Sequence, residues 1–394
     1  MNNSVSINPM RRPVEQLRIL TVHWGQSGAG PLFTYELTKA LASRDDVAVY
    51  LSYNINSDIS ERLAMIRVPA LLVSTYSSRA GVVFGFPKCL INSYRLRRFV
   101  KSHEIDVVFS TMSSIWQSLA VRIYTPHPVK YIASVHDAVA HPGEEHSVKS
   151  MMLRADLRRA DAVVAYSSSV RHALSSRSDL EGRVLIGTVH GTYGAIGSRR
   201  ELAVDSVIKL GFFGRLVAYK GIDLLLGALD LLKESDSSKR YELHIYGDGD
   251  RGLVSAADSR SGVYVHVGYV PDKEVESIVA SFDILVLPYK EASQSGPLSY
   301  AIGAGVPAVV TPVGALPEQV QHGRLGIVAD SVSSESIARA IMLLTNPVRY
   351  SAISGAMVEC AGGEYSWNRV AFDVVSGIRL TFVRPPIIAA DLQA

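Results

Sequence analysis

The sequence has little of several features that define whole classes of protein. It contains only two cysteines, Cys89 and Cys360, in 394 residues. Two distant cysteines exclude a disulfide scaffold and a cysteine-rich metal site, so we expect free thiols in a reducing compartment. No run approaches the roughly 18 consecutive apolar residues that span a bilayer, so a membrane-spanning protein is not expected.

An excess of one charge is also missing. The chain has 40 Lys and Arg against 37 Asp and Glu, a net charge of +3. A nearly balanced chain offers no strong field for a polyanion, so nucleic acid is not expected as a partner. Residues 1–16 are polar and contain no apolar core of signal-peptide length. We expect these residues to be disordered and the protein to be cytoplasmic.

What the sequence does have is a long alternation of strand-like and helix-like segments. Hydrophobic residues make up 47% of the chain, enough for two cores. Short apolar runs such as Leu17–Val22 and Val207–Phe213 are each followed by a loop and a helical pattern. Such alternation predicts an α/β fold with parallel sheets. The polar run 198–201 places the boundary between two domains, 1–200 and 201–371.

Two segments about 75 residues apart combine glycine with charged or polar side chains just after an apolar run. The first contains Gly214, Arg215 and Lys220, and the second runs from Glu291 to Gly296. Ligands of parallel α/β sheets bind at the carboxyl ends of strands, and a helix N-terminus favours an anion there. The two segments therefore predict a site for a diphosphate.

An ordered set of motifs across residues 205–370 resembles the retaining glycosyltransferases of family 4. The matching pieces lie at 213–221, 244–249, 267–274, 283–289 and 305–318. The resemblance implies the GT-B fold, in which two Rossmann-like domains face each other across a cleft. It also implies that residues 372–394 return to the first domain.

The resemblance implies transfer of a hexose from a nucleoside-diphosphate sugar, with retention, to a glycan or polyprenyl-linked acceptor. Arg215 and Lys220 would stabilise the leaving diphosphate, Glu291 would bind sugar hydroxyls, and His136 would lie beside the donor sugar. A GDP- or UDP-sugar is the expected donor substrate, and neither a cofactor nor a metal is expected. Further donor-side positions implied are Gly28, Ala29, Gly30, Gly214, Tyr269, Val270, Gln294, Ser295, Gly296, Ser299 and Tyr300.

The sequence departs from the family at one position. A second glutamate, near the ribose, usually follows the first by eight positions, where this chain has Ser299 beside Tyr300. The chain therefore resembles a subgroup that lacks that glutamate. Either hydroxyl could contact the ribose, although more weakly than a carboxylate.

Other features allow two interpretations each. The loop Gly25–Gly30 is either a tight turn or, as the family implies, a close approach to the donor or acceptor. His136 and Asp137 end a strand and are interpreted as cleft residues, with Asp137 on the acceptor side. The turn His190–Gly194 is interpreted as a linker, with a contact to the cleft as the alternative.

A segment from Phe84 to Lys101 interleaves aromatic and basic residues. The pattern predicts an amphipathic helix with apolar residues on one face and Lys88, Arg95, Arg97 and Arg98 on a neighbouring face. This is either an ordinary solvated helix or, as in many similar enzymes, a surface that attaches to an anionic membrane.

Two other functions rank below glycosyl transfer. One is a non-catalytic nucleotide-binding protein on the same fold, and the other is a retaining phosphorylase.

Overall fold

The computed structural model describes residues 16–76, 81, 84–124, 128–136, 148–203, 207–235, 240–257 and 259–382. Close packing divides the chain into two compact units. One comprises Met1–Ala133 with Met152–Ala160, and the other comprises Ser134–Met151 with Asp161–Ala394. Asp137 lies outside the described residues, as do residues 1–15 and 383–394.

The first sheet has seven strands in the order β3-β2-β1-β4-β5-β6-β7. The strand pairs β1–β2, β1–β4, β2–β3, β4–β5 and β6–β7 are parallel, with Leu17 opposite Val47 and Ile19 opposite Val107. The elements are β1 Leu17–His23, α1 Ala29–Ala42, β2 Val47–Asn54, α2 Ser60–Ala64, β3 Ala70–Val73, α3 Phe86–Ser102, β4 Val107–Ser110, α4 Ile115–Tyr124, β5 Lys130–Val135, α5 Val148–Arg159, β6 Ala162–Ala165, α6 Ser168–Ser175 and β7 Val184–Gly187.

The second sheet has six parallel strands in the order β10-β9-β8-β11-β12-β13. Its elements are β8 Val207–Phe213, α7 Ile222–Ser235, β9 Arg240–Gly247, β10 Val263–Val267, α8 Asp272–Ala280, β11 Ile284–Leu287, α9 Gly296–Ala304, β12 Ala308–Val310, α10 Leu316–Gln319, β13 Gly326–Val328, α11 Ser334–Leu344, α12 Pro347–Gly362 and α13 Trp367–Leu380. Every residue of β11 and β12 is buried, as expected for central strands with helices on both faces.

Both sheets have the strand order of a doubly wound fold. The order reverses between β1 and β4 in the first sheet and between β8 and β11 in the second. Ligands of such sheets bind outside the carboxyl ends of the strands at this reversal. In the second sheet the loops at that point are 214–221 and 288–296, the two segments that the sequence singled out.

The last helix, α13, packs against β7, the last strand of the first sheet. The position of a Cβ on Gly377 would lie 2.5 Å from the side chain of Ile186, so only glycine permits this approach. The Thr188 hydroxyl also donates to the Asp373 carboxylate at 3.0 Å. The segment after residue 366 is therefore tied to the end of the seven-stranded sheet.

Candidate functional site

Two cationic side chains follow β8. The exposed Arg215 donates from Nη2 to the Tyr219 hydroxyl at 2.8 Å, which orients its guanidinium. The Lys220 ammonium lies 3.5 Å from the ring centroid of Tyr289, a close cation–π contact. Burial raises the pKa of Tyr289 to about 12, so its hydroxyl stays neutral. The loop thus holds two positive charges, and each is placed by a contact with a tyrosine side chain.

The loop after β8 is joined directly to the end of β11. Gly221 has φ of 69°, and a Cβ there would lie 1.9 Å from the carbonyl oxygen of Pro288. Only glycine combines this conformation with this approach. The Lys290 amide donates to the Tyr219 carbonyl at 2.7 Å, and its ammonium pairs with Asp223 at 2.8 Å. The two loops therefore form one local structure.

The loop after β11 leads into the N-terminus of α9. The Ser295 amide donates to Gln319 Oε1 at 2.9 Å, and Ser295 Oγ lies 3.3 Å from the Tyr289 hydroxyl. A Cβ on Gly296 would meet no atom within 4 Å, so α9 begins with open space beside its first residue. Glu291 is exposed at the start of the same loop. Amides at a helix start, near two cations, suit an anion.

The structure separates the two candidates for the missing glutamate. Ser299 is buried, and its hydroxyl lies 3.1 Å from Nδ1 of His190. Tyr300 points elsewhere and donates to Oδ1 of Asp272 at 3.2 Å. Asp272 begins α8 directly after the segment of Tyr269 and Val270, where Tyr269 is largely exposed. Tyr300 therefore lies nearer to the segment predicted to meet the nucleobase.

His136 belongs to a cluster of aromatic rings. Its ring stacks on Tyr166 with centroids 4.8 Å apart and an interplanar angle of 18°. His190 lies 6.1 Å from His136 and contacts the rings of Tyr193 and Trp367. Sequence analysis singled out His136 and the turn His190–Gly194 but did not bring them together, because they follow different strands and share no motif with Tyr166 or Trp367.

His190 is more than a linker turn. Its Nδ1 donates to the Gly191 carbonyl at 2.8 Å, and its Nε2 accepts from the Tyr193 hydroxyl at 3.4 Å. Loss of hydration, together with the nearby His136, lowers the pKa of His190 to about 4. The neutral ring therefore joins the start of the second sheet's domain to Ser299 in α9.

The glycine loop of the first sheet encloses a histidine that sequence analysis missed. A Cβ on Gly25 or on Gly30 would lie 2.4 or 2.3 Å from Nε2 of the buried His23. His23 Nδ1 bonds the Met112 carbonyl at 3.0 Å. Gly28 faces open space and Ala29 begins α1. The close approach of the His23 ring thus explains why glycine stands at positions 25 and 30.

Helix α3 has a different distribution of side chains from the one predicted. Its buried residues are polar or small as well as aliphatic, and include Cys89, Asn92 and Ser93. Large apolar side chains are exposed in its N-terminal half, and basic side chains follow in its C-terminal half on the same broad face. The exposed apolar residues are Phe86, Leu90, Ile91 and Tyr94, and the exposed basic ones are Arg95, Arg97, Arg98 and Lys101, with Lys88 bonded to Ser74. The prediction of two neighbouring faces was wrong, because the exposed apolar and basic side chains are separated along the helix axis and not around it.

Neither a metal centre nor a membrane span is found in the described part of the chain. No group of three or more His, Cys, Asp or Glu side chains there is placed to hold a metal ion. None of the described helices combines the length and the apolar character needed to cross a bilayer.

Comparison with known families identifies the chain. Residues 208–346 match the family described as "Glycosyl transferases group 1", and residues 32–186 match "Glycosyltransferase Family 4". The chain is a family-4-like glycosyltransferase. The glycosyltransferase is 25% identical to a D-inositol 3-phosphate glycosyltransferase of Corynebacterium aurimucosum over 80% of each chain.

Solved structures establish the fold of this glycosyltransferase. A sucrose-phosphate synthase from Thermosynechococcus elongatus aligns with a TM-score of 0.68 and 15% identity, over 93% of this chain and 99% of that one. The Anabaena protein HepE, in complex with UDP-glucose, aligns with a TM-score of 0.65 and 14% identity, over 92% and 100%. The prediction of a GT-B fold with two Rossmann-like domains is confirmed.

Proposed function

We propose that this glycosyltransferase moves a hexose, with retention of anomeric configuration, from a nucleoside-diphosphate sugar to a glycan or lipid-linked acceptor. The observation that carries the proposal is the joined pair of loops after β8 and β11. They bring two cations and an open helix N-terminus together where a doubly wound sheet binds ligands. A diphosphate matches these groups in charge and in hydrogen-bonding capacity.

The same groups would act on the reaction. When the sugar leaves, negative charge grows on the terminal phosphate, so Arg215 and Lys220 interact more strongly with the transition state than with the donor. The bond between the anomeric carbon and the phosphate oxygen breaks, and a bond to the acceptor oxygen forms on the same face. The departing phosphate takes the acceptor's proton. Glu291 would bind sugar hydroxyls, and His136 would contact the sugar.

The nucleoside would extend from the diphosphate toward α8. Tyr269 and Val270 would meet the base, and Tyr300 with Asp272 would meet the ribose. The donor is a UDP- or GDP-sugar, and the complex of HepE with UDP-glucose supports binding of a nucleotide sugar. The donor is a substrate, and no separate cofactor or metal is proposed.

A donor panel tests this function. The purified protein is incubated with UDP-, GDP- and ADP-sugars, and released nucleoside diphosphate is measured with and without a mixed acceptor pool. Acceptor-dependent release from one donor is the expected result, and the anomeric configuration of the product is then read by NMR. Saturable nucleotide binding with no release would instead favour a non-catalytic binding protein.

Helix α3 supports a lipid-linked acceptor at an anionic membrane. Exposed Phe86, Ile91 and Tyr94 could enter the headgroup region while the basic half of the helix meets lipid phosphates. Each basic residue near such a surface contributes about 1 kcal/mol. We therefore propose peripheral attachment to the cytoplasmic membrane face.

Vesicle sedimentation tests the attachment. The protein should sediment with vesicles containing 30% phosphatidylglycerol at low salt and be released at high salt. A variant with Arg95→Glu, Arg97→Glu and Arg98→Glu should remain unbound while nucleotide affinity is unchanged. Equal sedimentation of wild type and variant would favour a water-soluble acceptor.

A further inference from the structure

The four-residue helix α10 carries two adjacent side chains that bind two separate segments. Gln319 bonds both backbone groups of Ser295, accepting from its amide at 2.9 Å and donating to its carbonyl at 3.4 Å. Glu318 turns the other way and accepts from the amides of Ser168 and Ser169 at 2.5 and 3.2 Å. All these residues lie in the compact unit that contains 161–394.

The segment held by Glu318 is the start of α6, which is separated from Tyr166 only by the N-cap residue Ser167. Tyr166 is fixed at three points: its ring stacks on His136, its hydroxyl lies 2.8 Å from Ser134 Oγ, and its carbonyl accepts from Gln294 at 2.7 Å. A displacement of the α6 start would therefore pass to Tyr166 and to the ring stacked on it.

Helix α10 is itself rigidly held. The buried Tyr365 donates from its hydroxyl to the Gln319 carbonyl at 3.1 Å. Gly314, with φ of 55°, lies so close to Ala292 that a Cβ would fall 1.5 Å from the carbonyl oxygen. The position of Glu318 is thus set relative to the loop after β11.

We propose that Glu318 is a positioning residue that sets His136, through Tyr166, relative to the anion-binding turn at Ser295 and Gly296. The inference rests on the proposed function of that turn. Glutamate suits the role because both carboxylate oxygens accept an amide proton at a helix N-terminus, where negative charge is favoured. Glutamine would offer one acceptor and turn its NH₂ group toward an amide N–H.

Glu318→Gln tests this role, and Glu276→Gln is its matched control. Glu276 Oε1 also accepts the amide of a residue distant in sequence, Ala195, at 2.8 Å, but Ala195 does not adjoin the backbone of Tyr166. Misplacement of a reacting group by about 1 Å can cost about a hundredfold in rate. We expect Glu318→Gln to lower kcat about ten- to a hundredfold with nucleotide Kd within about twofold of wild type, and Glu276→Gln to change neither.

A double-mutant cycle with His136→Ala separates positioning from general stability. If Glu318 acts through His136, Glu318→Gln has no further effect on kcat in the His136→Ala background. An equal loss in both backgrounds overturns the proposal. A loss shared by Glu276→Gln, or an unchanged kcat in Glu318→Gln, also overturns it.

A second readout needs no activity. In protein labelled with ¹³C at histidine Cε1, the His136 signal is assigned from its disappearance in His136→Ala. Stacking on Tyr166 should shift this signal by ring current, and Glu318→Gln should move it while Glu276→Gln leaves it in place. An unmoved His136 signal in Glu318→Gln overturns the inference. If the wild type releases no nucleoside diphosphate from any donor, the proposed function fails and this measurement alone decides the positioning.

Discussion

The loops after β1 and β8 hold equivalent places in the two sheets but have different contents. In the first sheet Gly25 and Gly30 close over the buried His23. In the second sheet the loop presents Arg215, which donates to the Tyr219 hydroxyl, and Lys220, which lies over the Tyr289 ring. A switch point supplies space at the strand ends, and the groups that line this space decide whether an anion is bound. We therefore expect the diphosphate at the second loop.

Removal of the cations is the strongest test of this contrast. Arg215→Ala or Lys220→Ala should lower kcat by about a hundredfold or more, since each removes one preorganised charge from the leaving diphosphate. Lys290→Ala, at the edge of the same loops and paired with Asp223, should leave kcat near wild type. Steady-state kinetics measure kcat, and thermal unfolding checks that each variant is folded. Near-normal kcat in both Arg215→Ala and Lys220→Ala would contradict the assignment of these two cations to the leaving diphosphate.

The first loop should respond in stability instead. Gly30→Ala places a methyl group against His23 and should lower the free energy of unfolding by about 2 kcal/mol. Most of the penalty should disappear when His23→Ala is added, because only the Met112 sulfur, at 3.1 Å, then remains close to the new methyl group. Urea unfolding of the single and double variants gives both values. A Gly30→Ala protein that keeps its stability but loses nucleotide affinity would show that this loop binds the donor.

His190 should make the stability of the folded protein depend on pH. Its lowered pKa means that the unfolded chain, with an ordinary histidine pKa near 6.5, binds a proton that the folded protein excludes until pH about 4. Stability should therefore fall as pH drops from about 6.5 toward 4, by about 1 to 2 kcal/mol given the partial exposure of the ring. His190→Gln should show a smaller fall in urea midpoint over this range. The same fall in both proteins would contradict the assignment.

The smallest expected effect separates Tyr300 from Ser299. Tyr300→Phe should raise nucleotide Kd about fivefold, the scale of one hydrogen bond, because it releases Asp272 beside the Tyr269 segment. Ser299→Ala should leave Kd unchanged, because its hydroxyl faces His190. Isothermal titration with UDP and GDP measures both. The reverse order would place the ribose contact at Ser299.

Local sequence patterns predicted the elements around the second loop because each strand and its following glycine or cation lie within about ten residues. Arg215, Lys220 and Glu291 could thus be placed at strand ends. The contacts of Tyr166 with Gln294 and of Ser168 with Glu318 join residues 128 and 150 positions apart. No periodicity carries that information, so sequence analysis missed them. The exposed apolar half of α3 was misjudged because a 3.6-residue pattern does not say which face meets the sheet.

The sequence by itself determined two parallel α/β sheets, and it placed after β8 and β11 the pair of loops that we propose to bind an anion. These features follow from short-range chemistry: apolar runs form buried strands, glycines permit close turns, and cations stay at strand ends. Tertiary structure alone decided that His23 fills the first glycine loop, that Ser299 turns inward, and that Glu318 holds the start of α6. Each depends on which distant groups come within hydrogen-bond or van der Waals distance once each sheet is packed with its own helices.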